Sequence, residues 1–208
     1  MMTLRPLALI TALAVSGTAA ADLQFYLGLR GAGGDIDAPR LTTGTNLSTF
    51  SSLGTMLVLG ANGGAYRIEL EIQSHDTDFI EFFFFDDDQM HIGATMLNLV
   101  LDPLYSNNFR PFVGVGLGVA AVKVDIDNCY DFNGCGPNSP DTHDESTAGA
   151  IQYMAGFAYR PDQAQWEIGA SYRWFHTSSL GLVTDLGAPF AEDRLEMSMV
   201  TLDLTWFF

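Results

Sequence analysis

Lysine occurs once in the 208 residues, at Lys123, and all basic residues together number 9 against 25 aspartates and glutamates, a formal net charge of −16. That shortage excludes nucleic acid as a partner, because phosphate neutralisation draws on clusters of Lys and Arg. It also excludes a polybasic membrane-surface binder. Long apolar runs are missing too. After the leader, no stretch reaches the roughly 18 apolar residues of a spanning helix, and the longest, Pro111 to Val122, is interrupted by three glycines. Cysteine is scarce: Cys129 and Cys135 stand six residues apart in a stretch rich in Asn, Gly, Pro and Asp. In an exported chain they read as one local disulfide closing a loop, since zinc needs further ligands and only His143 is near. What is abundant is aromatic: 15 Phe, 7 Tyr and 3 Trp exclude a disordered chain. The length bounds the protein to one domain or two small ones.

The first residues set the compartment. Arg5 is followed by an apolar stretch from Leu7 to Val15, broken only by Thr11, and then by Ala19-Ala20-Ala21 before Asp22. This is a secretory signal pattern, too short to span a bilayer. Residues 1–21 are expected to be cleaved, leaving a domain over 22–208.

Within that domain the dominant signal is alternation with period 2, the mark of strands with two unlike faces. In Tyr66 to Gln73, Tyr66, Ile68, Leu70 and Ile72 oppose Arg67, Glu69, Glu71 and Gln73. Leu23 to Arg30, Trp166 to Phe175 and Val200 to Phe208 repeat the pattern. Leu53–Ala61, Met90–Leu101, Phe109–Ala121 and Ile151–Tyr159 are compatible with it. Eight strands result; an added hairpin in the second or third long connection would make ten. Connections alternate short and long, as in an up-and-down membrane barrel with short periplasmic turns and long extracellular loops. A soluble β-sandwich has no need of that alternation.

The polar faces carry Arg30, Arg67, Arg110, Arg173, Glu69, Glu71, Glu167 and Asp203, four charges of each sign. In a membrane barrel the apolar faces meet lipid, and this balanced set fills the lumen as paired charges.

RPFVGVGLGVA (110–120), SYRWFHT (171–177) and the terminal VTLDLTWFF (200–208) resemble the small OmpA/OmpX-type outer-membrane β-barrels of Gram-negative bacteria. The resemblance covers the whole of 22–208. It implies an all-β, eight-stranded antiparallel barrel in the bacterial outer membrane, with lipid and lipopolysaccharide as surroundings. It also implies that the terminal Phe208 is read by the barrel-assembly machinery. The family hosts adhesins, structural proteins, small pores and a few enzymes, so it leaves function open.

Three chemistries compete. An eight-stranded lumen is filled by side chains, which excludes a porin-sized channel and leaves a narrow gated ion path as one alternative. His176, Ser178 and Glu196 share outward parity near the tops of neighbouring strands, and base, nucleophile and orienting carboxylate make a hydrolase set. An outward His-x-Ser with a Glu on the last strand resembles the outer-membrane lipid A deacylase, although that motif has Asn where this chain has Ser179. Third, Asp86, Asp87, Asp88, Asp125, Asp127 and Asp131 cluster oxygen ligands in loops two and three, a weak Ca²⁺ pattern without the spacing of an EF-hand. Beside them, Phe82 to Phe85 is unusual for a loop. The reading favoured by the sequence is a non-enzymatic barrel, without cofactor, serving envelope structure or surface interaction with an unidentified ligand. Residues 35–50, 75–89, 125–147 and 177–193 hold 17 of the 25 acids and one base, Arg40. The charge is therefore expected to sit in an acidic cap over a neutral barrel.

Overall fold

The computed structural model describes residues 23–37, 50–78, 89–126, 142–180, 182–183, 189–191 and 194–208. The chain runs β1 (Gln24–Asp37), β2 (Phe50–Asn62), β3 (Tyr66–Asp78), β4 (Gln89–Leu101), β5 (Phe109–Ile126), β6 (Thr142–Tyr159), β7 (Trp166–Thr177), β8 (Leu182–Val183), β9 (Pro189–Ala191) and β10 (Glu196–Phe207). Eight of these strands close into one antiparallel barrel in the order β1-β10-β7-β6-β5-β4-β3-β2, while β8 and β9 form a small separate hairpin between β7 and β10. Closure is made by β1 against β10, where Arg30 faces Asp203 across the seam.

Three turns at one end are short because local chemistry closes them. After β2, the Asn62 side-chain oxygen accepts a hydrogen bond from the Gly64 amide at 2.9 Å, and Gly64 takes a φ of 88° that favours glycine. Residues 102–108 join β4 to β5, where the Asn107 amide donates to the Leu104 carbonyl at 3.0 Å. After β6, the Ala164 amide donates to the Pro161 carbonyl at 3.1 Å, with Gln163 at a φ of 62°.

Alternation translates directly into inside and outside. Leu27, Leu29, Leu57, Leu70, Ile72, Leu99, Val115, Phe157, Ile168 and Leu204 point outward and are exposed, whereas Arg30, Glu69, Glu71, Asn98, Gln152 and Arg173 point inward and are buried. Tyr66, Phe109, Tyr159, Trp166, Trp206 and Phe208 ring the short-turn end of this apolar band, and Tyr153, Tyr172 and Trp174 stand nearer its other edge. Aromatic girdles around an apolar belt are the geometry of a barrel surrounded by lipid. Among the described residues no helix is long and apolar enough to cross a membrane; the strands do so here.

Two expectations need revision. Strands run further than their alternation: β1 continues to Asp37, and β6 begins at Thr142 rather than Ile151. Pairing persists above the apolar band, where outward positions become Asp35, Asp76, His91, Lys123 and Glu145. There both faces meet water or protein, so no apolar stripe marks the strand. The lumen also differs from a uniformly polar filling. Its half toward the long connections is packed with Ile36, Met56, Met90, Ile92, Met96, Val122, Phe175, Met197 and Met199. Leu180 and Leu195, from the β7–β10 connection, reach into the same cluster. Side chains that touch neither water nor lipid need only fill volume, and Met suits an irregular space.

Candidate functional site

Below that apolar half lies a connected layer of charge. β3 contributes Glu69 and Glu71 at successive inward positions, β1 contributes Arg30 and β7 contributes Arg173. Arg30 Nη2 lies 2.9 Å from Glu69 Oε2, its Nη1 pairs with Glu71, and its Nε is 3.5 Å from Asp203 Oδ1. Arg173 Nη1 donates to both Glu71 oxygens at 2.9 Å. Tyr26 donates its hydroxyl to Glu69 at 2.7 Å, and Gln152 Nε2 donates to Glu71 at 2.9 Å and to Asn98 at 2.6 Å.

A second group sits nearer the short turns. Arg67 pairs with Asp102: its Nη2 donates to Oδ1 at 3.1 Å, and its Nε lies 2.9 Å from Oδ2 without hydrogen-bond geometry. Its Nη1 reaches Glu167 at 3.4 Å, and Arg110 pairs with Glu167 as well. Arg67 also stacks 5.0 Å from the centre of the Phe112 ring. Arg67 Nη1 to Glu69 at 3.9 Å links the two groups.

The structure thus brings all eight charged residues singled out from the sequence into one network, and adds one that sequence reasoning missed. Asp102 is fully buried although it stands just past the last residue of β4, in the turn to β5. The signal was available: Asn98, Val100 and Asp102 share inward parity, so extending β4 by one position finds it. The layer therefore holds four arginines and five carboxylates. Together with the apolar cluster above, it occupies the lumen as expected for eight strands.

His176, Ser178 and Glu196 lie outside the barrel, at the long-connection edge of the apolar band. Glu196 is the direct cross-strand partner of His176, with Nδ1 to Oε1 at 3.6 Å and side chains 32% and 47% exposed. That separation is longer than a hydrogen bond. Ser178 is exposed, and its amide donates to the Gly149 carbonyl at 2.7 Å. The diametrically opposite side of the barrel carries a second pair of this kind, His91 Nδ1 to Asp76 Oδ1 at 2.6 Å, with Gly93 next outward on β4 and Ser74 opposite it on β3. Outward His–carboxylate pairing is therefore a recurrent feature of this band edge.

Cys129, Cys135, Asp86, Asp87, Asp88, Asp127 and Asp131, and the run Phe82 to Phe85, lie outside the described residues. Asp125 is placed only by its backbone, opposite His143 and Gln89 at the top of β5. Among the described residues no group of three or more His, Cys, Asp or Glu is arranged to hold a metal ion.

Comparison with known proteins adds the family. Residues 6–208 match the family described as outer membrane protein beta-barrel domain. Neisserial surface protein A superposes with a TM-score of 0.62 at 11% identity, covering 88% of this chain and 97% of that one. Ail, the attachment invasion locus protein of Yersinia pestis, in complex with the heparin analogue sucrose octasulfate, superposes at 0.51 with 12% identity, covering 89% and 99%. At such identities these two show the fold alone. No curated protein matches the chain by sequence. The chain belongs to the outer membrane protein β-barrel domain family, and its place is the bacterial outer membrane.

Proposed function

We propose that the protein is a non-enzymatic anchor whose acidic extracellular loops carry its role in envelope structure or surface interaction. The observation that supports this best is the filled lumen: charge pairs occupy the periplasmic half, and a mainly apolar cluster, with Gln73, His75 and Thr77 from β3, occupies the extracellular half. A barrel filled in this way offers solutes no wide path, which leaves the outer surface as the working part. The acids concentrated in residues 35–50, 75–89, 125–147 and 177–193 give that surface a strongly negative field. Lipid and lipopolysaccharide surround the band, and the exposed Phe208 side chain at the final strand suits recognition by the assembly machinery. The test is to shorten the four loops to tight turns and compare cells expressing either form. Intact loops should give more negative electrophoretic mobility and loop-dependent attachment to cationic surfaces. Equal mobility and attachment for both forms would remove the reading.

One observation favours a second reading, a lipid-facing hydrolase: His176 and Glu196 are cross-strand partners that a small side-chain rotation brings into hydrogen-bond reach. Against it stand Ser179 at the position of the deacylase Asn and the recurrence of an outward His–carboxylate pair, His91–Asp76, on the far side of the barrel. Mass spectrometry of lipid A from expressing cells decides this point. The anchor reading expects an unchanged acyl pattern; loss of an acyl chain that His176→Ala abolishes would establish the enzyme.

A further inference from the structure

The periplasmic end of the barrel is recessed. Between the turn after β4 and the turn after β6 lies a cavity of about 450 Å³, open to the periplasm and lined mostly by polar groups, including Gln24, Asn62, Asn108, Arg110, Arg160 and Gln165.

Its two arginines differ in their partners. Arg110, only 3% exposed, is paired with Glu167 on the lumen side, while its Nε has no hydrogen-bond partner among the described residues. Arg160 is half-buried, and every contact it makes is neutral. Its Nε donates to the Ala164 carbonyl at 3.0 Å, its Nη1 donates to Gln24 Oε1 at 3.1 Å, and the guanidinium lies 3.9 Å from the centre of the Phe207 ring. Among the described residues no carboxylate lies within 4.0 Å of it, whereas Arg30, Arg67, Arg110 and Arg173 each have one. Burial lowers the Arg160 pKa without an opposing acid. Arg110 brings a like charge to the same recess. A partly desolvated cation beside a second cation gains from an anion placed between them. The one acid on the rim, Asp162, is solvent-exposed, where water screens it.

The walls narrow the choice of anion. Carboxamides dominate them, and Asn62 spends its oxygen on the Gly64 amide, which leaves its nitrogen free to donate. Carboxamides present donor and acceptor side by side and match peptide groups. Aromatic lining is limited to Tyr105, so a flat apolar ligand has little to stack on.

We propose that this periplasmic mouth binds the free carboxylate end of a short peptide, with Arg160 and Arg110 on the carboxylate and the carboxamides on the preceding amides. The site is independent of the loop reading above, because it lies on the opposite side of the membrane, and neither result decides the other.

The test is calorimetric titration of the full barrel, folded in nanodiscs, with acetyl-trialanine bearing either a free or an amidated C-terminus. Free acid should bind at least tenfold more tightly than amide. R160Q should lose about tenfold in affinity for the acid and nothing for the amide, with R160K recovering part of the loss, while the unboiled form keeps its shifted electrophoretic mobility. Peptides ending in L- or D-alanine then separate protein chain ends from cell-wall stem peptides, and preference for either supports the site. Equal affinity for acid and amide, no effect of R160Q, or inorganic phosphate binding as tightly as the peptide acid would overturn the proposal.

Discussion

Glu71 is the residue on which the lumen turns. It accepts from Arg173 and Gln152 and pairs with Arg30, and it is completely buried. Removing one member of a buried ion cluster leaves the others charged and unpaired, at a cost of about 3–5 kcal/mol. Glu71→Ala is therefore expected to lower the unfolding free energy of the lipid-reconstituted barrel, measured by urea titration, by that amount, and R173A by a similar amount. The double variant should cost less than the sum of the two, because each single change strands the other's charge. Additive losses would mean that the pair does not act as a unit. This residue was legible beforehand, since Arg67, Glu69, Glu71 and Gln73 alternate with four apolar neighbours. Asp102 was less so: it shares the inward parity of Asn98 and Val100, but a carboxylate at a strand end before Pro103 reads equally well as a turn residue.

The strands carry the next prediction. On β3 the outward series is Tyr66, Ile68, Leu70, Ile72, Ser74 and Asp76, so the change from apolar to polar marks where lipid ends. An arginine facing the middle of a bilayer costs about 2–4 kcal/mol and one near the interface about 0–1. Leu70→Arg should fall in the first range and Ser74→Arg in the second, measured by equilibrium unfolding in lipid vesicles; equal costs would mean that the band is misplaced. The turns offer a gain instead. Gln163 holds a φ of 62°, a conformation that costs a side chain about 1 kcal/mol, so Gln163→Gly should stabilise the barrel by up to that amount in the same assay. At this scale the sequence was legible wherever one face met lipid and the other met paired charge. It fell silent where that contrast vanished. Above the band β6 reads Thr142 to Ala150, small and polar on both faces, and its pairing with β5 comes from the register of the whole sheet rather than from a pattern of its own. Along β4, Ile92 and Met96 point inward while Leu97 and Leu99, nearer the short turns, point outward, so period-2 reading could not announce an apolar lumen.

At the scale of the molecule, three zones stack along the barrel axis: a polar periplasmic mouth, a layer of paired charge and an apolar extracellular core. All but about one unit of the net charge of −16 belongs outside all three, carried by connections and by strand extensions such as those bearing Asp35, Asp76 and Glu145. Folding then buries little net charge, which keeps a highly acidic chain compatible with a membrane. The account stands on the lumen being filled along its length, and single-channel recording in planar bilayers measures that most directly. With purified, folded protein at high salt, the filled lumen predicts no stable openings at the level of a general porin. It also predicts that removing paired charge in Glu71→Ala together with R173A raises conductance before it abolishes folding. Large, long-lived openings of the unmodified chain, scaling with bulk salt, would contradict it.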